Sequence, residues 1–263
     1  MDVRVDHPAG GTPLVTGANL KVASGEVVMI VGAAGVGTSR LVTTALGEAS
    51  PGAGTVRVLG HDVTKLRRAS LRLMRRRIGV VPQDLCLLPD RSAQLNVVLP
   101  LEIDGVPRNV SVLRAAEVLA QLGLEDEASL PVDCLSLSVR QRVAVARALV
   151  RQPEVLVADH PTSFQDAAGA TLVAEALASA ATKGAAVLVL ARDPALRAIA
   201  EQRGWRQLAL VRGSLVPMTE IALESGGSLD ELLVDLVSAP VRVPEPMLPN
   251  VVPFPIARPA GAR

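Results

Sequence analysis

Aromatic residues are almost missing from this chain of 263 residues, which has two Phe, one Trp and no Tyr. Proteins that bind single-stranded nucleic acid stack the bases on aromatic side chains, so this scarcity argues against that function. The charges are also balanced, with 27 Lys and Arg against 26 Asp and Glu. A general nucleic-acid binder would carry a clear positive excess. We therefore expect no nucleic-acid partner.

Cysteine and long apolar runs are also scarce. Cys86 and Cys134 are the two cysteines, and neither has His or Cys neighbours at a metal-ligand spacing. We interpret both as small, buried residues of a cytosolic protein. No uncharged apolar run approaches the ~20 residues of a membrane-spanning helix, and the opening residues lack the apolar segment of a secretory signal. We expect any membrane contact to be made through a partner.

Short apolar runs alternate with helical patterns along the chain. The runs are continuously apolar, which is typical of parallel strands covered on both faces; they lie at 26–32, 78–81, 154–159 and 185–191. Asp193, followed by Pro194, is expected to cap a helix ending at Gly204, and Ser111 one ending at Gly123. Another helix is expected to end at Gly184. These patterns predict an α/β fold.

Other regions depart from this alternation. Two hairpin-like pieces occur early, at 18–31 and 54–63, and residues 84–150 are mainly helical and predict a separate lobe. "SLDELLVDLV" within 224–239 predicts a short amphipathic helix that packs back on the body. Seven prolines follow residue 239, so we expect 240–263 to be a disordered or extended tail.

The stretch "VVMIVGAAGVGTSRL" (27–41) nearly matches a phosphate-binding loop, in which backbone N–H groups point at phosphate oxygens. Thr38 stands where the pattern has a lysine. The candidate nucleotide-binding residues are Gly32, Ala33, Ala34, Gly35, Val36, Gly37, Thr38 and Ser39. One incomplete loop is a weak signal, so the motifs after it decide the interpretation.

Three further motifs follow in a specific order: "VVPQD" (80–84), "CLSLSVRQRVAVARALVRQPEVLVADHPTS" (134–163) and "VLVLARDPAL" (187–196). Over residues ~2–220 the chain resembles the nucleotide-binding subunits of ABC transporters. The stretches at 60–66, 75–105 and 208–215 are most similar to the FtsE-like cell-division branch; the lipoprotein-release and macrolide-export branches remain open. The resemblance implies a P-loop NTPase domain over 1–223, with a mostly parallel core sheet, an N-terminal antiparallel β subdomain and a helical signature lobe at about 84–150.

The resemblance also assigns roles to individual residues. It implies that Gln83 joins the phosphate loop in binding nucleotide, and that Ser39, Gln83 and Asp159 hold Mg²⁺. It places the signature sequence at Leu135, Ser136, Leu137, Ser138 and Val139, and the D-loop at 163–166. His160 replaces the family's catalytic glutamate and Arg192 its switch histidine, and we expect both to be inactive.

These replacements predict a pseudoenzyme. A general base contributes ~10²–10⁴ in rate and a positioned donor on the transferring group ~10²–10³, so hydrolysis should be negligible and binding of ATP and Mg²⁺ weak or absent. The alternative is an active subunit for lipoprotein, lipid or drug export, because His160 is a possible base at neutral pH. A decayed gene product without function is a third interpretation.

The resemblance implies a membrane partner. In the family, the lobe after the Q-loop receives a cytoplasmic helix of the permease, which points to Leu85, Leu88, Pro89 and Arg91 as docking residues. We expect an FtsX-like or lipoprotein-release-type permease, a homodimer or a heterodimer with another ABC ATPase, and a cytoplasmic location at the inner face of the membrane. "KLRRASLRLMRRR" (65–77) holds seven basic residues, as either a solvated helix face or a contact for an anionic surface.

Overall fold

The computed structural model describes residues 3–5, 15–32, 38–211 and 213–220. The predicted amphipathic helix and the proline-rich tail lie outside these residues, and so do residues 33–37 of the phosphate loop. The strands are β1 Val3–Val5, β2 Val15–Ala18, β3 Val27–Gly32, β4 Ala53–Gly54, β5 Arg57–Val58, β6 His61–Asp62, β7 Ile78–Val81, β8 Val155–Asp159, β9 Ala186–Leu190, β10 Arg206–Val211 and β11 Ser214–Pro217. The helices are α1 Thr38–Ala45, α2 Arg68–Arg76, α3 Ala93–Ile103, α4 Arg108–Gln121, α5 Leu137–Leu149, α6 Ala167–Thr182 and α7 Pro194–Gln202.

A six-stranded sheet forms the centre, in the order β11-β10-β3-β9-β8-β7. Its strands from β10 to β7 are parallel, and β11 joins antiparallel at the edge. β3 is buried along its whole length, because helices or β-subdomain residues cover both faces of the sheet. The four predicted apolar strands and the mostly parallel α/β architecture are therefore confirmed.

The antiparallel pieces lie in two smaller sheets. β1 pairs with β2 and β4, and β5 pairs with β6 in a hairpin that confirms the prediction for 54–63. The predicted hairpin at 18–31 is wrong. A turn does occur at Ser24 and Gly25, but the strand after it, β3, pairs with β9 and β10 in the central sheet. Its continuous apolar run is stabilised by burial at the centre rather than by the neighbouring strand.

Most predicted helix ends agree with the structure. The Asp193 carboxylate accepts a hydrogen bond from the Ala195 N–H at 3.0 Å, and α7 begins at Pro194. Gly123, Gly184 and Gly204 follow helix ends with positive φ. Ser111 is not a cap: α4 begins earlier, at Arg108. Ser111 is buried in the helix, and its hydroxyl donates to the Val106 carbonyl at 3.3 Å.

Two hydrophobic clusters lie on opposite faces of the central sheet. The larger contains Met29 and Val187 together with helices α3 to α6, and the smaller contains Ile30 and Val157 together with α1 and α2. No helix in the described part of the chain is both long and apolar enough to cross a membrane.

The prediction that both cysteines are buried is wrong. Cys86 and Cys134 are free and exposed, because each lies in a connecting segment beside an aspartate. The Cys86 thiol donates to Asp84 Oδ1 at 2.9 Å, and this hydrogen bond raises the pKa of the thiol.

Candidate functional site

The predicted site residues follow the carboxyl ends of neighbouring parallel strands. Gly32 ends β3, Gln83 comes two residues after β7, Asp159 ends β8 and Arg192 comes two residues after β9. These four strands are adjacent in the sheet, so their carboxyl ends meet at one edge. In open α/β sheets this edge is where ligands bind. The topology therefore gathers residues that lie far apart in sequence.

Asp159, His160 and Arg192 form a chain of side-chain contacts at this edge. Asp159 Oδ1 lies 2.7 Å from His160 Nδ1, and Arg192 Nε donates to His160 Nε2 at 3.1 Å. Asp159 is 5% exposed. The backbone of His160 has φ +53°, and its N–H donates to the Leu190 carbonyl at 2.7 Å. The unusual backbone conformation therefore directs the ring between the two partners.

These contacts fix the tautomer of His160. A guanidinium can only donate hydrogen bonds, so the Nε2 atom that Arg192 contacts must be the acceptor. Nδ1 then carries the proton and donates it to the Asp159 carboxylate. Both ring nitrogens are thus occupied by protein groups, and the lone pair that a general base would use is bonded to Arg192.

Gln141 connects this chain of contacts to the signature helix α5. Its side chain is 1% exposed, and its Nε2 donates to the His160 carbonyl at 2.8 Å. Its Oε1 accepts from the Phe164 N–H and from Gln165 Nε2, both at 3.0 Å. A buried amide must have its hydrogen-bonding groups satisfied, and here its partners come from the segment that follows β8.

Ser138 and Gln165 complete the connection. The Ser138 hydroxyl donates to Gln165 Oε1 at 3.0 Å, and Gln165 Nε2 donates to the Ser138 carbonyl at 2.9 Å. We call this set of side chains the α5–β8 network; its members are Ser138, Gln141, Asp159, His160, Gln165 and Arg192. His160 and Arg192, where the resemblance leads us to expect replaced catalytic residues, thus contact each other, and Gln141 connects His160 to Gln165, which bonds to Ser138.

The signature residues surround the start of α5. Ser136 is the N-cap, with its side chain accepting from the Val139 N–H at 3.3 Å. Leu135 is buried, whereas Leu137 is 52% exposed. Val139 packs against the core and is half-buried. The Leu137 side chain therefore projects to the surface at the start of α5.

The phosphate side of the site is described only in part. α1 begins at Thr38, directly after the undescribed residues 33–37, and the side chains of Thr38 and Ser39 are outside the description. Gln83 is exposed. Among the described residues no group of three or more His, Cys, Asp or Glu could hold a metal ion. Mg²⁺ is commonly bound by one or two carboxylates together with substrate phosphates and water, and Asp159 supplies one carboxylate that fits this pattern.

The predicted docking residues lie on a loop whose backbone is hydrogen-bonded to other parts of the protein. Leu88 is 43% exposed, and Pro89 and Arg91 are also exposed. The buried Asn96 side chain accepts from the Leu88 N–H at 2.8 Å and donates to the Leu88 carbonyl at 3.0 Å. The Pro89 and Arg91 carbonyls each accept a backbone hydrogen bond of 3.0 Å from residues 133 and 132. The loop is therefore ordered by its backbone, which leaves these three side chains on the surface.

Leu85 does not share that surface. It is 8% exposed and belongs to the core, so its side chain is unavailable to a partner, and this part of the docking prediction is corrected. Leu85 and Cys86 both have positive φ. Arg147 of α5 donates to their carbonyls at 2.6 and 2.5 Å, and burial lowers the pKa of its guanidinium. The turn directs Leu85 inward.

The sequence analysis did not identify three residues whose hydrogen bonds support the site and the docking loop, namely Asn96, Gln141 and Arg147. A signal for them exists, since each is a polar residue inside a largely apolar helical stretch. Such residues are buried only when their polar groups find partners. The sequence does not identify those partners, because they lie between 4 and 62 positions away.

Comparison with known proteins gives the family. The family model described as "ABC transporter" matches residues 15–163. The methionine import ATP-binding protein MetN of Brucella abortus is 41% identical over 157 residues, which are 60% of this chain and 42% of that protein. The macrolide export ATP-binding/permease protein MacB of Shigella flexneri is 35% identical over 245 residues, 90% of this chain and 37% of that protein. The chain thus spans less than half the length of these relatives.

Comparison with solved structures gives the same family. A dimeric post-hydrolysis state of the ATP-binding cassette MJ0796 bound to ADP and Pi has a TM-score of 0.72 and 29% identity, covering 81% of this chain and 94% of that one. An ATP-binding subunit of an ABC transporter has a TM-score of 0.74 at 22% identity, covering 89% and 97%, which shows the fold. This chain therefore belongs to the ABC transporter family and has the fold of its ATP-binding cassettes.

Proposed function

We propose that this chain is a degenerate, FtsE-like ABC ATP-binding subunit that docks on an FtsX-like or lipoprotein-release-type permease and hydrolyses little or no ATP. The observation that supports the loss of hydrolysis is His160. It stands at the position of the family's catalytic carboxylate, and both of its ring nitrogens are bonded to Asp159 and Arg192. For His160 to take a proton from water, Arg192 would first have to leave Nε2.

Nucleotide binding is proposed to be weak. When bound, Mg·ATP supplies the phosphoryl group that the family transfers to water. Asp159 would hold the metal, but its Oδ1 is shared with His160. Thr38 brings no positive charge to the phosphates, and charged donors bind phosphate about twice as strongly as neutral ones. The chain therefore keeps groups that fit the ligand and lacks those that hold it tightly.

The exposed loop after the Q-loop supports a docking function. Asn96 orders the loop carrying Leu88, Pro89 and Arg91 through hydrogen bonds within the protein. A preordered loop loses less conformational entropy on binding. We propose that this loop receives the permease at the cytoplasmic face of the membrane, in a homodimer or in a heterodimer with another ABC ATPase, in a process such as cell division.

The test is steady-state ATP hydrolysis by the full chain, measured alone and together with the membrane partner. The matched control is the double variant Ser39→Ala with Asp159→Ala. We expect the two proteins to have the same rate, because the proposal gives the wild-type site no working base. Turnover by the wild type that the double variant abolishes would overturn the proposal.

An active export subunit is the second candidate. Its support is the similarity to MacB over 90% of this chain, since that relative is named as an export protein. In this interpretation His160 exchanges Arg192 for water when the site closes. The same hydrolysis measurement with the membrane partner decides between the two, because only the active subunit turns over above the control.

A further inference from the structure

In the basic segment 65–77, three arginine side chains have no partner among the residues that the structure describes. Four of its seven cations are engaged: Lys65 with Asp62 at 3.3 Å, Arg75 with the Leu46 carbonyl at 2.9 Å, Arg76 with Asp104 at 3.4 Å, and Arg77 with Glu154. Arg67, Arg68 and Arg72 contact no acidic or acceptor group in the described part of the chain. All three are exposed, so uncompensated positive charge is concentrated at α2.

α2 has one face fixed to the protein and one face open to solvent. Met74 is 5% exposed and belongs to the smaller core cluster, against which Leu71 also packs. At about 100° per residue, Arg72 and Leu73 fall on the side of the helix opposite Met74 and Leu71, and Arg68 lies at the flank of that side. Leu73 is 63% exposed. A large apolar side chain is therefore presented to solvent among arginines, on a helix that the core already anchors.

A second exposed aliphatic residue belongs to the end of α3, which contacts the end of α2. The Arg76 guanidinium contacts Asp104, and Ile103, the residue before Asp104, is 60% exposed. Arg151 also contacts Asp104, at 2.7 Å, so this junction between α2 and the end of α3 is held by two arginines. We call the surface formed by Arg67, Arg68, Arg72, Leu73 and Ile103 the α2 face.

We propose that the α2 face binds the anionic headgroups of a lipid bilayer, independently of any permease. Helices that lie on membranes combine Lys or Arg with exposed Leu or other apolar residues. The guanidinium is a planar donor that matches phosphate oxygens. Leu73 and Ile103 would enter the headgroup layer while the arginines contact the phosphates. An acidic protein surface would match the arginines but would leave the two aliphatic side chains without an apolar environment.

Net charge does not explain such binding, because the whole chain has a formal charge of only +1. The attraction must therefore come from this local cluster. Each Lys or Arg near an anionic membrane surface strengthens binding about fivefold. Removing three should weaken partition into anionic vesicles by at least about tenfold, allowing for screening by salt.

Sedimentation of the full chain with vesicles tests the proposal. We expect binding to vesicles of phosphatidylcholine with phosphatidylglycerol, weaker binding at high salt, and none to phosphatidylcholine alone. The triple variant Arg67→Gln, Arg68→Gln, Arg72→Gln should lose at least about tenfold in partition. The matched control, Lys21→Gln, Arg114→Gln, Lys183→Gln, removes the same charge from exposed residues on other elements and should keep partition within about twofold. Leu73→Ser should weaken binding without a change in charge.

The proposal would be overturned by no sedimentation with anionic vesicles, by equal sedimentation with zwitterionic ones, or by an equal loss in the control triple. A triple variant that leaves vesicle binding unchanged but loses an acidic protein partner would assign the face to that partner instead. Circular dichroism establishes that each variant is folded. Should the Gln triple unfold, the wild type's preference for anionic vesicles and the Leu73→Ser variant still decide the matter.

Discussion

At the scale of single residues, the members of the α5–β8 network match one another in hydrogen-bonding capacity. His160 needs a donor for Nε2 and an acceptor for Nδ1, and Arg192 and Asp159 provide them. Gln165 and Ser138 exchange two hydrogen bonds. Their reciprocity counts against random decay of the site, because an unmatched polar residue at a buried position costs about 1–3 kcal/mol.

The first prediction concerns the tautomer of His160. The chain has three histidines, His7, His61 and His160, so nitrogen NMR on histidine-labelled protein resolves them individually. We expect the Nδ1–H form for His160, because Arg192 donates to Nε2. Arg192→Ala should remove this preference, while the spectrum of His61, which lies in the β5–β6 hairpin, stays unchanged. A wild-type His160 protonated at Nε2 would contradict the contact with Arg192 and with it the main support for the pseudoenzyme proposal.

At the scale of elements, α6 has adapted to the α5–β8 network. Gly169 lies in the first turn of α6, and its N–H donates to Asp166 Oδ1 at 2.8 Å. A Cβ at this position would overlap Gln165 Oε1 and would meet Asp166 Oδ1 at 3.1 Å. The missing side chain at Gly169 therefore gives the Gln165 amide the space in which it bonds to Ser138 and Gln141.

This packing predicts a reversal of the usual effect of alanine in a helix. Gly169→Ala should destabilise the chain by about 1–3 kcal/mol, as expected for overpacking, although the same change in an open helix position stabilises by about 1 kcal/mol. In the Gln165→Ala background the penalty should shrink by at least about 1 kcal/mol. Urea unfolding of the four proteins measures this coupling. Thr171→Ala changes an exposed residue of α6 and serves as the control: its change in unfolding free energy should simply add to that of Gln165→Ala. If the effects of Gly169→Ala and Gln165→Ala were also additive, the overlap between the Cβ and the Gln165 side chain would be contradicted.

The elements also show what the sequence can predict. Continuous apolar runs predicted the parallel strands, and the Asp193–Pro194 pair predicted the start of α7, because both signals are local or depend only on burial. The predicted cap at Ser111 was wrong because Pro107 ends the preceding loop, so that α4 begins earlier, at Arg108. The strand order, which assembles the ligand edge, depends on pairings between distant segments. The positions of His160 and Arg192 could therefore be predicted, but their contact could not.

At the scale of the whole molecule, the proposed nucleotide site and the proposed partner surfaces lie on different elements. The ligand edge is occupied by protein side chains that bond to one another, whereas the loop at Leu88 and the α2 face present exposed side chains on backbone that is already ordered. α3 links these two surfaces: its Asn96 orders the loop, and its end contacts α2 through Asp104. The proposed docking loop and the proposed membrane-binding face therefore both contact α3.

The last prediction follows from this arrangement. Leu88→Asp with Arg91→Glu should abolish co-purification of the chain with its permease from membranes, because it places a charge in an apolar contact and reverses a charge at the rim. The variant should fold, since Asn96 bonds to the backbone of Leu88 and not to its side chain. Leu113→Asp with Arg114→Glu makes the same changes on the exposed side of α4, where Leu113 is 62% exposed, and should leave co-purification intact. His160→Ala should also leave it intact, with or without ATP. A folded Leu88 and Arg91 variant that still co-purifies, or an association lost with His160→Ala, would instead favour an active subunit whose docking depends on nucleotide.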